Sequence, residues 1–386
     1  MSKILIIHNK YRDLGGEDLA VDNEVSFLRK DNEVETIFFD NKKVNVFGNL
    51  ISFITGSNPK SIKELDKIYE NFNPDIVYIH NTWFNASIGV FKYFEQKNVK
   101  ILLKLHNFRY YCTRYGTSRK HFLDKDFCNA CGLSKKEMGY FNKYFNDSYI
   151  KSILIFAYGR RYFKIIKKSK LELIVLTKFH KSFLSELGIP ESKITVIPNV
   201  LDFNYLKSVE TESNDLIYAG RISEEKGIQE LVEAFIDAGL SDINLKIIGE
   251  GPLLKYLQRN YKHKNIVFTG IVPNKETHKL IGSSLCVVTA TKLFEGQPTL
   301  LTEAALMGIP AIFPNSEGIK EFFPQNTKLA FKQFDYKDLT KKIKLVNNKK
   351  LLHSEGSGNR EYINNKLDET IINEQFQNLF SRKIST

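Results

Sequence analysis

The sequence predicts an α/β protein made of two doubly wound domains, each with a parallel sheet covered by helices. Three observations support this prediction. The chain has 386 residues, more than one hydrophobic core usually serves. Short β-branched or aliphatic runs alternate with amphipathic helix patterns along its whole length. The alternation pauses after Pro198 and then begins again, so two similar halves facing each other across a cleft are expected.

Six strand-like runs lie in the first half, which we expect to form a domain over residues 1–200. They are KILIIH, VETIFF, DIVYIH, VKILLKLH, ELIVLT and ITVIP. Patterns typical of amphipathic helices, such as SIKELDKIYENF, separate them. The polar connection NVLDFNYLKSVETESND comes next and suits a domain boundary.

Six further runs predict a second domain over residues 201–365. They are NDLIYAG, INLKIIG, NIVFTG, LCVVTA, PAIFPN and KLAF. The last pattern, LDETIINEQFQNLF, predicts a helix with no strand after it. This C-terminal helical segment, over residues 366–386, can pack on the first domain. Because ligands of doubly wound sheets bind at the carboxyl ends of the strands, functional residues are expected directly after each run.

The composition, 42% hydrophobic and 26% charged, is typical of a globular protein. No apolar run approaches the roughly 18 residues of a membrane span, and the N-terminal residues lack the pattern of a signal peptide. Four cysteines argue against a disulfide scaffold. We therefore expect a cytoplasmic protein.

The net charge of +12 is concentrated in the first half of the chain. Residues 1–200 carry 32 Lys and Arg against 21 Asp and Glu, whereas residues 201–386 carry 24 against 23. The segment from Lys135 to Lys170 holds ten of the basic residues, interleaved with aromatic ones. Such a segment is suited to an anionic membrane, a phosphate-bearing lipid or nucleic acid, and equally to a solvated helical face with aromatic core anchors.

Basic and glycine residues follow the run LIYAG in the segment GRISEEKG. Gly220 allows a close approach to the backbone, Arg221 and Lys226 supply two cations, and a helix pattern begins after Gly227. A helix N-terminus with nearby cations favours a diphosphate ligand. The spacing differs from that of a P-loop and of a GxGxxG dinucleotide site. A charged turn that caps a helix is the alternative.

Two carboxylates follow the run LCVVTA in the segment LFEGQPTLLTEAALMG. Pro298 suits the first turn of a helix, so Glu303 is expected within that helix and Glu295 in the loop before it. Paired carboxylates accept hydrogen bonds from sugar or ribose hydroxyls. The apolar neighbours of Glu303 argue against a merely solvated side chain.

These segments resemble known motifs in their order and spacing. The pair of glutamates is similar to the E-x7-E signature of retaining glycosyltransferases with the GT-B fold, and GRISEEKG is similar to the G-R-x4-K-G signature of glycosyltransferase family 4. The segments VIPNVLD, KIIGEGP and VFTGIVP fit the same family pattern. The resemblance covers essentially the whole chain.

The resemblance implies a hexosyltransferase that takes its sugar from UDP or GDP and passes it, with retention of configuration, to a saccharide acceptor that is lipid-linked. Arg221 and Lys226 would hold the diphosphate, Glu303 the ribose, and Glu295 the transferred sugar. The remaining implied donor-binding residues are Gly270 and Ile271, which would border the base, and Gly296, Gln297, Pro298 and Thr299. No cofactor and no divalent metal are expected for the reaction.

The first half also resembles the family. Gly15 and Gly16 would belong to its glycine-rich first loop, and His106 would lie beside the reacting sugar. With Arg221, Lys226 and Glu295, His106 completes the expected catalytic set. His80 ends the neighbouring strand and is either a packed loop residue or part of the site. Many relatives build envelope polysaccharides on lipid carriers at the inner membrane face, so peripheral association through the basic segment is expected.

A cysteine cluster follows His106 in the segment HNFRYYCTRYGTSRKHFLDKDFCNACG. Cys112, Cys128 and Cys131 either form a structural loop with reduced or bridged thiols, or bind zinc if His121 or another group supplies a fourth ligand. The C-x2-C spacing alone leaves both alternatives open.

Other functions remain open from the sequence. A sugar-nucleotide epimerase shares the fold but would need acidic groups placed for proton transfer. A catalytically silent binding module would not need the four residues Arg221, Lys226, Glu295 and Glu303 together. A nucleic-acid-binding protein is suggested by charge alone, and because no reader motif is present we expect no nucleic-acid partner.

Overall fold

The structure is a computed structural model that describes residues 1–10, 16–40, 52, 54–115, 119–123, 125–134, 148–201 and 213–382. It divides into two compact units. Unit 1 comprises Met1–Leu201 and Glu369–Thr386, and unit 2 comprises Asp202–Asp368. No helix among the described residues is both long enough and apolar enough to span a membrane.

Unit 1 is built on six parallel strands with helices between them. The strands are β1 (Lys3–Lys10), β2 (Glu33–Asp40), β3 (Ile76–Ile79), β4 (Lys100–Leu105), β5 (Glu172–Val175) and β6 (Ile194–Val196). The helices are α1 (Gly16–Leu28), α2 (Pro59–Phe72), α3 (Gly89–Gln96), α4 (Arg109–Tyr115), α5 (Tyr149–Lys168), α6 (Lys178–Glu186) and, from the C-terminus, α13 (Glu369–Ser381). The strand order is β2-β1-β3-β4-β5-β6.

Unit 2 repeats the plan with another six parallel strands. They are β7 (Asp215–Ala219), β8 (Asn244–Ile248), β9 (Ile266–Gly270), β10 (Cys286–Val288), β11 (Ala311–Pro314) and β12 (Ala330–Phe331). The helices are α7 (Ile228–Ala238), α8 (Leu254–Asn260), α9 (Asn274–Gly282), α10 (Thr299–Leu306), α11 (Tyr336–Lys344) and α12 (Lys349–Lys366). The strand order is β12-β11-β10-β7-β8-β9.

The central strands are apolar on both faces because helices cover both sides of each sheet. Every residue of β3, β4, β5 and β11 is buried, whereas the edge strand β2 is buried only at Ile37 and Phe39. All twelve strand-like runs of the sequence form the predicted parallel strands. The predicted α/β fold with two doubly wound sheets is confirmed.

Helix ends follow local sequence signals. Helix α2 has Pro59 in its first turn, and the Asn58 side chain accepts a hydrogen bond from the Lys60 N–H. Helix α7 lies between Gly227 and Gly239, which both have φ near +66°, in the left-handed region that favours glycine. These signals fix where loops begin, and thereby where the residues after each strand lie.

The C-terminal helix α13 belongs to unit 1. The Lys100 ammonium donates hydrogen bonds to the backbone carbonyls of Leu379 and Arg382 at the end of this helix. Phe376 is fully buried and lies against Tyr78 of β3. Cations at a helix C-terminus are stabilising because they satisfy carbonyls that have no partner within the helix. The sequence predicts domain limits of 1–200 and 201–365 and a last segment of 366–386. In the structure the helix of this last segment packs in unit 1, beside Tyr78 of its sheet.

Candidate active site

The strand order of unit 2 places one topological switch point between β7 and β10. These neighbouring strands have their crossover connections on opposite sides of the sheet, which opens a crevice at their carboxyl ends. The loop after β7 carries Arg221 and Lys226, and the loop after β10 carries Glu295. The two segments singled out from the sequence therefore meet at the place where such sheets bind ligands.

Glycines allow these loops to approach each other closely. A Cβ atom on Gly227 would lie 2.1 Å from the Ala290 carbonyl oxygen, and one on Gly318 would lie 1.9 Å from the Glu295 carbonyl oxygen. Both glycines have positive φ angles, +66° and +89°. The backbone after β7 and the backbone after β11 are thus in contact with the segment that follows β10, and a side chain at either glycine would separate them.

The segment KIIGEGP supports the same loop from the other side. A Cβ on Gly249 would lie 2.0 Å from the Gly220 carbonyl oxygen, and one on Gly251 would lie 2.2 Å from the Ile222 carbonyl oxygen. The Ile222 N–H also donates to the Glu250 carbonyl oxygen at 2.8 Å. The two glycines of this motif are explained by close packing of two backbones.

Lys226 and Glu295 form an ion pair at the crevice. The Lys226 Nζ lies 2.6 Å from the Glu295 Oε1, and the Thr291 hydroxyl donates to the same oxygen at 3.0 Å. The two charged side chains keep 29% and 20% of their surface exposed. Thr291 orients the carboxylate and was not identified from the sequence, because a threonine after a strand carries no distinctive signal.

Arg221 is exposed, in contrast to its buried neighbours Ile222 and Ser223. The Tyr218 hydroxyl donates to the Arg221 carbonyl oxygen at 2.9 Å and thereby holds the backbone of this residue. Within the part of the chain that the structure describes, the Arg221 guanidinium forms no ion pair. The Ser223 hydroxyl is buried without a hydrogen-bond partner among the same residues. The Arg221 guanidinium is therefore accessible beside the crevice, whereas the Ser223 hydroxyl is enclosed.

Glu303 is the fifth residue of α10, as the predicted helix required, and it is buried. The His278 Nε2 of α9 lies 3.4 Å from its Oε1. The hydrogen bond to Glu303 raises the pKa of His278, while desolvation opposes the rise. No sequence pattern indicated this contact, because His278 and Glu303 lie on different helices.

The other predicted donor-binding residues lie around the same edge of the sheet. Gly296, Gln297 and Pro298 are buried. The first N–H groups of a helix have no partners within the helix, and Pro298 before α10 provides no side-chain cap for them. Gly270 ends the edge strand β9, and Ile271 after it is 72% exposed. All these positions lie at the carboxyl edge predicted from the sequence.

Unit 1 carries a polar cluster at the carboxyl ends of its own strands. The Nδ1 of His80 lies 3.0 Å from the Nε2 of His106, and His80 also packs on Tyr78. Through this ring-to-ring contact His80 positions His106. A second buried contact in the cluster joins the His8 Nε2 and the Asp18 Oδ1 at 2.8 Å.

The two imidazoles of this pair are neutral at physiological pH. Desolvation, followed by the charges of neighbouring cationic groups, holds the pKa of His80 and that of His106 well below the ordinary value. His106 lines a pocket with Glu17, Asn107 and Arg109, and the Asn107 amide donates to the Glu17 carboxylate at 3.3 Å. Such a pocket can hold a polar ligand through neutral hydrogen bonds.

A buried ion pair lies beneath this pocket. The Lys104 Nζ lies 2.8 Å from the Glu24 Oε2, and the Tyr78 hydroxyl donates to the Glu24 Oε1 at 2.7 Å. Both charged side chains have no exposed surface. Burial lowers the pKa of Lys104 and Glu24 opposes that shift. Neither residue was identified from the sequence, because Lys104 lies within an apolar strand.

The remaining predicted residues of unit 1 have the following places. Gly15 lies outside the described residues, and Gly16 begins α1. Cys112 lies in α4, and Cys128 and Cys131 lie in a tight turn that reaches both Cys112 and His121. Residues 135–147 of the basic segment also lie outside the described residues, and the rest of that segment includes α5.

Comparison with known proteins agrees with this architecture. Residues 206–367 match the family model described as glycosyl transferases group 1. The capsular polysaccharide biosynthesis glycosyltransferase CapM of Staphylococcus aureus is 26% identical over 208 residues, which are 52% of this chain and 54% of CapM. An uncharacterized glycosyltransferase of Methanocaldococcus jannaschii is 21% identical over 62% of this chain and 65% of its own. The chain thus spans less than two thirds of the length of these curated relatives.

A solved structure resembles the chain over nearly its whole length. HepE from Anabaena, in complex with UDP and glucose, has a TM-score of 0.69 at 14% identity, over 99% of this chain and 100% of HepE. At this identity the likeness shows the fold. The chain therefore has the GT-B fold, and residues 206–367 of its second unit match the model of group 1 glycosyl transferases.

Proposed function

We propose that the chain is a retaining hexosyltransferase of family 4 that uses a UDP-sugar or GDP-sugar in the synthesis of a cell-surface polysaccharide. The observation that carries the proposal is the meeting of Lys226 and Glu295 at the switch point of a sheet with the strand order of a nucleotide-binding fold. The name of CapM supports the polysaccharide, and the UDP and glucose bound to HepE support the class of donor.

The diphosphate of the donor is assigned to the loop after β7. Arg221 and Lys226 supply two positive charges, and helix α7, which begins two residues after Lys226, adds the unpaired N–H groups of its N-terminus. Glu295 holds Lys226 at 2.6 Å, which places the ammonium beside the crevice. Two cations and a helix dipole are enough to stabilise a leaving diphosphate, and the proposed reaction therefore needs no divalent metal.

The sugar and the ribose are assigned to the two glutamates. Glu295 keeps one carboxylate oxygen on Lys226 and Thr291, and its other oxygen is available to hydroxyls of the transferred hexose. Glu303 accepts the ribose hydroxyls, and His278 holds its carboxylate in place. Gly270 and Ile271 border the base. These roles make both carboxylates ligands of the substrate rather than proton carriers.

His106 is assigned a hydrogen bond to the transferred sugar or to the acceptor. Because its imidazole is neutral at physiological pH, it can donate one hydrogen bond without adding a positive charge beside the reacting carbon. In a front-face reaction, which would retain the anomeric configuration, the departing diphosphate oxygen takes the proton of the acceptor hydroxyl. In such a reaction unit 1 needs to position the reacting groups and does not need to supply a nucleophile.

The acceptor is proposed to be lipid-linked, at the inner face of the cell membrane. Helix α5 carries Tyr149, Ile150 and Ile153, which are 50%, 73% and 50% exposed, next to basic side chains of the same helix. Its other face buries Tyr158, Tyr162 and Phe163, so the aromatic residues serve partly as core anchors. An exposed apolar end with surrounding cations suits an anionic lipid surface.

The donor assignment is tested by a thermal-shift and hydrolysis screen against a panel of UDP- and GDP-sugars in the presence of EDTA. We expect one nucleotide sugar to raise the melting temperature and to be slowly hydrolysed. The assignment fails if none binds, and if Arg221→Ala and Glu303→Ala leave every measured property unchanged.

The membrane assignment has its own test. In liposome flotation, the protein should bind vesicles that contain an anionic lipid, and binding should weaken as salt increases. Ile150→Asp should reduce flotation, whereas Ile371→Asp, at an exposed position of α13, should not. Absence of salt-sensitive binding would contradict the proposal without affecting the donor assignment.

A further inference from the structure

Four potential metal ligands converge in unit 1, in the segment that follows the His106 pocket. They are Cys112 Sγ, His121 Nε2, Cys128 Sγ and Cys131 Sγ, and all four lie within 4.8 Å of one another. The sequence left open which group would stand beside the three thiols. The structure brings His121 to that place. We propose that this Cys3His cluster binds one structural Zn²⁺ ion.

The spacing of the atoms fits a single tetrahedral ion. Zinc binds thiolate sulfur at about 2.3 Å and imidazole nitrogen at about 2.0 Å, so two sulfurs on one ion lie about 3.8 Å apart and a sulfur and a nitrogen about 3.5 Å apart. The Cys112 and Cys128 sulfurs lie 3.7 Å apart, and the His121 Nε2 lies 3.2 Å from the Cys131 sulfur. Four ligands close the coordination shell, which is typical of a structural site.

The backbone around Cys128 is shaped to present two sulfurs together. The Cys128 N–H donates to the Leu133 carbonyl oxygen at 2.9 Å, and the Cys128 carbonyl oxygen accepts from Gly132 at 2.8 Å. Gly132 has φ +84°, which lets the chain reverse directly after Cys131. The turn therefore holds the C-x2-C pair on one side, as zinc-binding loops do.

The other two ligands come from separate elements. Cys112 lies in α4, and His121 lies in the 3-10 turn Arg119–Phe122. Cys112, His121 and Cys128 are buried, and Cys131 is partly exposed. One ion would therefore connect a short helix, a turn and a hairpin that are otherwise separate along the chain. A soft, sulfur-rich set of this kind selects Zn²⁺ over Mg²⁺ or Ca²⁺.

The alternative of a bridged pair fits less well. A disulfide requires two sulfurs at about 2.05 Å, and it would use two of three clustered thiols while leaving the third thiol and the imidazole in contact. The pairs Cys112 with Cys128 and His121 with Cys131 have comparable separations, which suits one shared ion better than one covalent bond.

The site has a consequence for the neighbouring pocket. Helix α4 begins with Arg109 and Tyr110, which line the pocket around His106. It packs against α5 so closely that a Cβ on Gly159 would lie 2.2 Å from the Thr113 side chain. Zinc bound at Cys112 would fix the middle of this helix, three residues after Arg109. The ion would thus stabilise one wall of the pocket and take no part in group transfer.

The test uses the full chain without a histidine tag, purified under reducing conditions and analysed for metals by mass spectrometry. We expect about one equivalent of zinc in the wild-type protein. Cys128→Ser and the double variant Cys128→Ser/Cys131→Ser should lose it. Cys286→Ala is the matched control, because Cys286 is a buried cysteine in β10 of unit 2, and it should keep its zinc. Chelation should lower the melting temperature by about 10 °C.

Cobalt keeps the proposal testable if the cysteine variants do not fold. The zinc-free wild-type protein should bind one Co²⁺ with intense charge-transfer absorption from thiolates and the visible bands of a tetrahedral ion. The proposal is overturned by less than one tenth of an equivalent of zinc together with no cobalt binding. Iron in place of zinc, or a pair of thiols that becomes titratable only after reduction, would also overturn it.

Discussion

The polar clusters of the two units differ in how much water reaches them. In unit 1 the Lys104–Glu24 pair has no exposed surface and is completed by the Tyr78 hydroxyl. In unit 2 the Lys226–Glu295 pair keeps 29% and 20% of its side-chain surface exposed. The first pair has no surface to offer a ligand, whereas the second can exchange its partner for a substrate. Charge alone therefore does not single out a candidate binding residue, and for these two ion pairs the exposed fraction of the side chains distinguishes them.

The largest effect is expected from breaking the buried pair. Lys104→Met leaves the Glu24 carboxylate buried with only the Tyr78 hydroxyl, and removal of one partner of such a pair costs about 3–5 kcal/mol. Denaturant unfolding monitored for unit 1 measures this loss. The double variant Lys104→Met/Glu24→Leu should recover part of the stability. A loss of less than about 1 kcal/mol in the single variant would show that the pair is not buried as described.

The exposed pair should respond in the opposite way. Lys226→Ala is expected to weaken nucleotide diphosphate binding about 10- to 100-fold, the effect of losing one charged hydrogen bond, with little change in the free energy of unfolding. Isothermal titration with UDP and GDP measures the affinity. Lys264→Ala is the control, because Lys264 is an exposed lysine two residues before β9, at the amino edge of the sheet and opposite the crevice. Equal affinities in the two variants would remove Lys226 from the site.

The contact between His278 and Glu303 predicts a smaller, pH-dependent effect. Because Glu303 raises the pKa of His278 in the folded state, the stabilisation is fully present below the unfolded pKa, near 6.5, and is lost as the pH rises through the folded value. In Glu303→Gln the pKa of His278 should fall towards its ordinary value. NMR titration of the imidazole protons measures both values, and an unchanged pKa in the variant would contradict the contact.

The smallest effect is expected at the surface. The Lys30 ammonium and the Glu369 carboxylate lie 2.7 Å apart, but the side chains are 57% and 45% exposed. Lys30→Ala should change the free energy of unfolding by less than about 1 kcal/mol. A larger loss in the same denaturant assay would show that α13 depends on this pair for its attachment to unit 1.

Most of the fold was predictable because its signals are local. Uninterrupted apolar runs between amphipathic patterns indicate parallel strands covered on both faces, and all twelve are present. Glycine positions in KIIGEGP and GRISEEKG were predictable as loops, but the reason for Gly249 and Gly251, close packing on the backbone after β7, required the structure. Periodicity reports which face is buried and does not report what lies against it.

The site was predictable where residues follow strands and not where helices meet. Lys226 and Glu295 lie in the loops that follow two neighbouring strands, so their convergence follows from the sheet order. His278 and Glu303 approach from two helices, and their contact depends on helix packing that no local pattern encodes. Lys104 was missed for a related reason, since its partner Glu24 lies 80 residues away in α1.

The central claim is that the switch point of unit 2 holds a nucleotide sugar whose hexose is transferred. The most direct measurement is proton NMR of the wild-type protein with the best-binding nucleotide sugar and a saccharide acceptor in the presence of EDTA. The account predicts release of the nucleoside diphosphate and a product with the anomeric configuration of the donor, both abolished in Lys226→Ala and kept in Lys264→Ala. An inverted product, or turnover unchanged in Lys226→Ala, would contradict it.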